Sequence, residues 1–266
     1  MDTIPWARLE TAYGPGTGVP AILRKLASPD RPTADEGFED VYDDGLVHQL
    51  TNYTATVAAV PFIVSIAAQV GAHRRPRLIA LLSDVSVGRD VPYSPEGTTA
   101  AVRQAIRGRL WQLVPLAAAP DPSFQFAMAG LAAALPFDLA SVRPMVRRLL
   151  GKEKALSTRT ALAGAMAVLG DQSSDVMERL LRAEKESVYR AVRRGETWSV
   201  PWELTVGRDV PGAEDVVGLP VHSSVASWAR RAAHGVEDEV FLEAARNVNE
   251  LFTRDPAYYE VVGKAL

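Results

Sequence analysis

The sequence predicts an all-α fold: a right-handed α-solenoid of about six helical hairpins, in one domain spanning residues 1–266. Three observations carry this. The chain repeats itself, because Ala127-Met-Ala-Gly-Leu-Ala-Ala-Ala-Leu135 returns 34 positions later as Ala161-Leu-Ala-Gly-Ala-Met-Ala-Val-Leu169. Each copy is followed by a second amphipathic stretch, 142–150 and 175–181. Apolar residues recur at helical spacing, as in Ala101, Val102, Ala105, Ile106, Leu110 and Leu113, and again in Phe241, Leu242, Ala245, Val248, Leu251 and Phe252. Alternating strand patterns are scarce; 197–206 is the one candidate, and Pro201 weakens it. Periods of about 34 to 45 residues with two helices each are the mark of a helical solenoid.

The elements follow in order. Val19-Pro20 and Val60-Pro61 each open an amphipathic stretch, and Pro144 stands 83 residues beyond Pro61. Proline is tolerated in a first helical turn, where its missing N–H has no partner, so these prolines are read as helix starts. The expected helices are 5–13, 19–27, 33–50, 54–70, 74–87, 97–115, 122–135, 141–151, 155–169, 173–194, 222–233, 236–253 and 255–265. The segments 84–95 and 195–221 are expected loops, the second an irregular insertion in the repeat. Alanine and glycine fill the first helix of each central repeat, which lets neighbouring helices approach closely. Leu131, Leu135, Met145, Leu149, Leu162, Leu169, Leu180, Ile63 and Phe62 are the expected core.

Composition limits the function. Hydrophobic residues make up 47% and charged residues 23%, an ordinary globular mixture, so wholesale disorder is not expected. With no cysteine, disulfides, thiol catalysis and thiolate metal sites are excluded. A net charge of −3 argues against a dedicated nucleic-acid coat. No basic region followed by an apolar run opens the sequence, and the apolar stretch 57–68 is too short to span a bilayer. A cytoplasmic protein that makes no use of membranes is expected.

The residues also carry a resemblance. Trp6-Ala-Arg-Leu-Glu-Thr-Ala-Tyr-Gly14, then Val19-Pro-Ala-Ile-Leu-Arg-Lys-Leu26, is similar to the start of actinobacterial HEAT-repeat proteins, which belong to the armadillo-like α-solenoids. Val47-His-Gln-Leu-Thr-Asn-Tyr53 leading to Ala58-Ala-Val-Pro-Phe-Ile63 resembles their second and third helices, and 157–183 resembles a generic HEAT repeat. Arginine outnumbers lysine 24 to 5, which fits such a source. The resemblance implies about six HEAT-like hairpins and protein binding. Some bacterial members are regarded as immunity or regulatory proteins, and a distant branch comprises alkylpurine DNA glycosylases.

No catalytic signature stands out. Gly14-Pro-Gly-Thr-Gly18 lacks the preceding strand and the Gly-Lys-Ser/Thr of a phosphate loop, so it reads as a linker capping the next helix. No two of His48, His73, His222 and His234 share the spacing of a metal pair, so neither a metal nor a cofactor is expected. Asp35, Glu36, Glu39, Asp40, Asp43 and Asp44 read as a solvated helix face, with an acidic ridge for a basic partner as the alternative. Arginine clusters at 74–77, 103–109, 143–148 and 190–194 could align into a stripe, although arginine is also a good surface helix former.

Two features are sharper. Val87-Gly-Arg-Asp-Val-Pro92 recurs as Val206-Gly-Arg-Asp-Val-Pro211. It reads either as one helix-ending turn used twice or as two guanidinium–carboxylate pairs, Arg89 with Asp90 and Arg208 with Asp209. The 195–221 insertion adds Trp198, Trp202 and Glu203; tryptophan and arginine are enriched where binding energy concentrates, and the alternative is that the two tryptophans plug a gap between stacked repeats. The polar stretch His48, Gln49, Asn52 and Tyr53 completes the candidates; His48 there reads first as a maker of structural hydrogen bonds, with a binding role on the concave face as the alternative. The expected activity is non-catalytic binding of another protein on the curved solenoid surface. The alternative is an enzyme or small-ligand-binding protein on the same scaffold, transforming a small molecule or acting like a DNA glycosylase, with its site near the insertion. Whether the chain is an enzyme stays open at this point; a small-molecule ligand is allowed, and nucleic acid is not expected.

Overall fold

A computed structural model of the chain describes residues 1, 3–90, 94–154, 156–171 and 173, together with 245, 246, 248, 249, 252 and 253. The described residues form eight α-helices, five short 3₁₀ turns and four strands of two residues each. The all-α expectation holds for them, and their two sheets have two strands apiece. They fall into two compact units that divide between Leu131 and Ala132.

In the first unit, β1 (Glu10–Thr11) and β2 (Gly14–Pro15) make a small antiparallel hairpin. A 3₁₀ turn at Gly16–Gly18 leads into α1 (Val19–Ala27), with Pro20 in its first turn as expected. The expected helix 5–13 is therefore replaced by a 3₁₀ turn, Trp6–Arg8, and this hairpin. Thr11 Oγ1 donates to Gly14 O at 3.0 Å and closes a turn that the apolar spacing of the segment does not reveal.

Helix α2 (Arg31–Asp43) starts earlier and ends earlier than the expected 33–50. The Asp30 carboxylate accepts from Thr33 N at 3.0 Å, and Pro32 sits in the first turn, so this cap fixes the start. Hydrogen bonds from the Thr33 hydroxyl and then its backbone hold the Asp30 carboxyl below its ordinary pKa. Helix α1 packs on α2. The crossing is close: a Cβ at Gly37 would stand 2.6 Å from Lys25 Cβ and 2.7 Å from Leu26 N, so no other residue fits.

The acidic run is only partly a solvated face. Lys25 Nζ lies 2.7 Å from both Glu36 Oε1 and Asp40 Oδ2. The hydrogen bonds with Asp40 and then Glu36 raise the ammonium above its ordinary pKa. Asp35 pairs with Arg77, whose guanidinium also stacks 4.2 Å from the Phe38 ring centre. Burial and then the charge of Asp84 push the Tyr42 phenol well above its usual range, with Arg77 opposing.

Loop 44–50 passes through β3 (Thr51–Asn52) into α3 (Thr54–Gln69). This helix packs against α1, α4 (Arg75–Ser86) and α5 (Thr98–Arg107). Its bounds match the expectation, but Pro61 does not mark a helix start; it lies in the helix interior. Pro61 has no N–H to donate to Val57 O, and the Ser65 hydroxyl instead donates to Pro61 O at 2.9 Å. The helix tolerates this because Ala55, Ala59, Val60, Ile63, Val64 and Ala67 are fully buried. Helix α4 is buried from Leu78 to Ser86 without a break.

Helix α5 covers only the first half of the expected 97–115. Gly108 ends it, and two 3₁₀ turns, Leu110–Gln112 and Val114–Ala118, follow. Helix α6 (Pro122–Ala134) begins where Asp121 Oδ1 accepts from Phe124 N at 3.1 Å.

The second unit contains α7 (Arg143–Lys152) packed on α8 (Leu156–Val168). Pro144 lies in the first turn of α7, as read. Helices α6 and α8 begin and end 34 residues apart, which reproduces the repeat seen in the sequence. Arg143 bonds Leu169 O, and Arg147 pairs with Asp171. Burial alone would raise the Asp171 carboxyl, but hydrogen bonds from Ser173 and Arg147 outweigh it and leave it below its ordinary value. Leu131, Leu135, Met145, Leu162, Leu169 and Ile63 are buried as expected, whereas Leu149 and Phe62 are half-buried. Ala245, Val248 and Phe252 are also buried, the face their spacing marks. Leu180, the expected helices 173–194, 222–233 and 255–265, and the insertion 195–221 lie outside the described residues.

Candidate binding site

Two candidate segments that lie about 40 residues apart in sequence meet in the first unit. Strand β3 pairs in parallel with β4 (Arg89–Asp90), with Thr51 opposite Arg89 and Asn52 opposite Asp90. Arg89 N donates to Leu50 O at 2.8 Å. His48, Gln49, Asn52 and Tyr53 therefore share one small region with Arg89 and Asp90. The remaining candidates, Trp198, Trp202, Glu203, Arg208 and Asp209, lie outside the described residues.

The region is assembled by buried polar bonds. The Asn52 side chain has no exposure; its Nδ2 donates to Val85 O at 2.9 Å and to Thr99 Oγ1 at 3.0 Å. Thr99 Oγ1 in turn donates to Gly88 O at 3.3 Å. Asn52 Oδ1 has no hydrogen-bond partner among the described residues. Gly88 keeps an ordinary negative φ, so it is not the permissive cap the hexapeptide suggests. Its role is close approach: a Cβ there would stand 2.5 Å from Asn52 Nδ2.

The first hexapeptide copy does end a helix, since Val87 caps α4. Asp90 then caps the next one, accepting from Gly97 N at 2.9 Å and Thr99 N at 2.6 Å with its two carboxylate oxygens. Tyr53 is buried, with its hydroxyl 2.7 Å from Thr51 Oγ1. The Tyr53 N–H donates to Thr56 Oγ1 at 3.1 Å, and that hydroxyl donates to Leu46 O at 2.6 Å. Asn52 and Tyr53 thus serve the interior, and Asp90 is committed to α5.

What faces solvent is the turn between His48 and Thr51. Thr51 N donates to His48 O at 2.9 Å. The two central residues, Gln49 and Leu50, have φ of 49° and 55°, the pattern of a type I′ turn. That turn favours Asn-Gly; a leucine in this conformation carries strain of about 1–2 kcal/mol. Gln49, Leu50 and Arg89 are exposed and His48 is half-exposed. The Tyr13 hydroxyl lies 3.2 Å from His48 Nδ1, with the two rings edge to face at 5.5 Å. Neither Tyr13 nor Leu50 is singled out by any sequence motif. The one signal for Leu50 is its position in a tight turn, and the turn is visible only once β3 and β4 are paired.

Among the described residues several of the clustered arginines tie the chain to itself, while 190–194 lie outside them. Arg74 bonds Ser28 O, and Arg75 donates from Nε to Ala67 O at 3.0 Å and from its terminal nitrogen to Val70 O at 2.7 Å. Arg103 is buried and donates to Ser86 O at 3.0 Å. Among the described residues no group of three or more histidine, aspartate or glutamate side chains is placed to hold a metal ion. No described helix is long and apolar enough to cross a membrane. No family model matches the chain, no curated protein matches its sequence, and no solved structure matches it.

Proposed function

We propose that the chain is a HEAT-like α-solenoid that acts without catalysis, binding a protein partner in the cytoplasm in an immunity or regulatory role. The observation that carries this reading is the meeting of β3 with β4, which gathers the solvent-facing side chains of two candidate segments around one strained turn. Strained backbone clusters where a protein meets a ligand, because folding alone would relax it. The successive packing of α1 on α3 and α3 on α5 supports a stacked arrangement of hairpins.

The test is a photo-crosslinking side chain placed at Gln49, with the same group at exposed Gly151 in α7 as the control, followed by irradiation in cells of the source organism. One dominant protein adduct from position 49 and none from position 151 is expected. Equal labelling from both positions would remove this surface from consideration.

A further inference from the structure

We propose that Tyr13, His48 and Leu50, together with Glu10, Asp43 and Asp44, form a docking surface for a basic segment of a protein partner; this deepens the partner-binding reading and rests on it. Three ties bring these residues onto one surface. Glu10 N donates to Thr54 Oγ1 at 2.8 Å, Ala12 N donates to Gly45 O at 2.9 Å, and the Tyr13 hydroxyl meets His48 at 3.2 Å. The β1–β2 hairpin is thereby clasped to the loop that joins α2 to α3.

Each feature of the surface runs against what folding alone would select. Tyr13 is 65% exposed and Leu50 44%, and they are two of the three large apolar or aromatic side chains left exposed among the described residues. Leu50 additionally holds a left-handed backbone, so its exposure is maintained against strain. The carboxylates are misplaced for helix stability. Asp43 ends α2, Asp44 caps it, and no basic residue stands in that last turn. A helix C-terminus carries partial negative charge and favours cations. Asp40 is answered by Lys25, but Asp43 and Asp44 are exposed and have no ion-pair partner among the described residues. Glu10 adds a third exposed carboxylate on the hairpin. Arg89 borders the turn, its backbone N–H donating to Leu50 O at 2.8 Å.

Charge complementarity selects the occupant. Uncompensated carboxylates beside an exposed phenol ring and a leucine fit a segment that offers arginine or lysine next to an apolar side chain. The cation would lie over Tyr13 and between the carboxylates, and the apolar group would cover Leu50.

The experiment selects short random peptides from a display library against the full chain, then measures the selected peptides by fluorescence anisotropy at low and high salt. Peptides enriched in arginine and lysine are expected, binding more weakly as salt rises. Two variants locate them. Asp43→Lys with Asp44→Lys should weaken binding about tenfold while raising or preserving the melting temperature, because lysine suits a helix C-terminus. Tyr13→Ala should weaken binding about tenfold with little change in melting. Selected peptides that are not basic but still lose affinity on Tyr13→Ala would overturn the basic partner and leave the binding surface standing. Basic peptides indifferent to both variants, or no selected peptide at all, would overturn this inference; a position-49 crosslink to a protein would then still uphold the broader reading.

Discussion

Helices α6 and α8 and the loop from 44 to 53 are built by opposite means. The helices are alanine-rich, and residues 126–136 and 161–169 are buried without a break. Their order comes from close apolar packing, which leaves a periodic trace in the sequence. The loop also buries Leu46, Val47 and Tyr53, but its path depends on single polar bonds: Asn52 to Val85 and Thr99, far along the chain, and Thr56 to Leu46. Packing spreads its energy over many weak contacts, whereas the loop concentrates it in a few groups that are expensive to strand. Substitutions in the helices should therefore cost in proportion to the apolar volume removed, and those in the loop should cost the buried hydrogen bonds they strand.

The largest effect is expected in the packed region. Leu131→Ala, at a fully buried position, should lower unfolding free energy by about 2–5 kcal/mol in a denaturant titration. A loss below about 1 kcal/mol would show that α6 repacks freely and would dissolve the contrast. Asn52→Ala should lower stability by about 1–3 kcal/mol, because Val85 O and Thr99 lose a buried donor. It should also speed hydrogen exchange at Arg89, Gly97 and Thr99, whose bonded amides Leu131→Ala should leave less affected. If both variants perturb exchange equally throughout, the loop is not held separately.

A smaller effect, opposite in sign, is expected at the turn. Leu50→Gly removes the left-handed strain but adds freedom to the unfolded chain, so a net gain of up to about 1 kcal/mol is expected. A clear loss would mean that the leucine side chain supports the fold, and the turn would then count as structural.

The smallest effect concerns acid. The Asp30 and Asp171 carboxyls have lowered folded-state pKa values. Their contribution is complete above the ordinary carboxylate value of about 4 and is lost as pH falls through the lower folded-state values. Asp171→Asn should flatten the fall in melting temperature below about pH 4 and should lower stability at neutral pH. An unchanged acid limb would show that the hydrogen bonds of Asp171 do not distinguish folded from unfolded chain.

The legible part of the fold was the part built from periodic apolar packing. The 34-residue repeat marks α6 and α8 at both ends, and the bounds of α3 and α4 follow from burial spacing. The sequence misled where polar side chains decide. The Thr11 turn puts a hairpin where a helix is expected, and the Asp30 cap moves α2; for a backbone reason rather than a polar one, Gly108 ends the expected 97–115 helix halfway. The candidate site was legible as two unconnected segments, and neither periodicity nor motif spacing records that β3 and β4 pair. Asn52 and Tyr53 stand among the binding candidates on polarity alone, yet their partners are within the chain. Glycine at 88 was read through conformational freedom, when the reason is an asparagine pressed against it.

The fork of Arg75 has a consequence for how the molecule comes apart. Its guanidinium holds carbonyls of Ala67 and Val70, fastening the end of α3 to the start of α4. Both acceptors are uncharged carbonyls, so no ion pair is involved at this junction. The charged ties between α1 and α2 and from α2 to α4 run instead through ion pairs, Lys25 with Glu36 and Asp40 and Arg77 with Asp35, which added salt screens. Raising the salt concentration should thus loosen the charged ties of α2 while the junction of α3 with α4 keeps its hydrogen bonds, so the two halves of the unit answer differently to ionic strength.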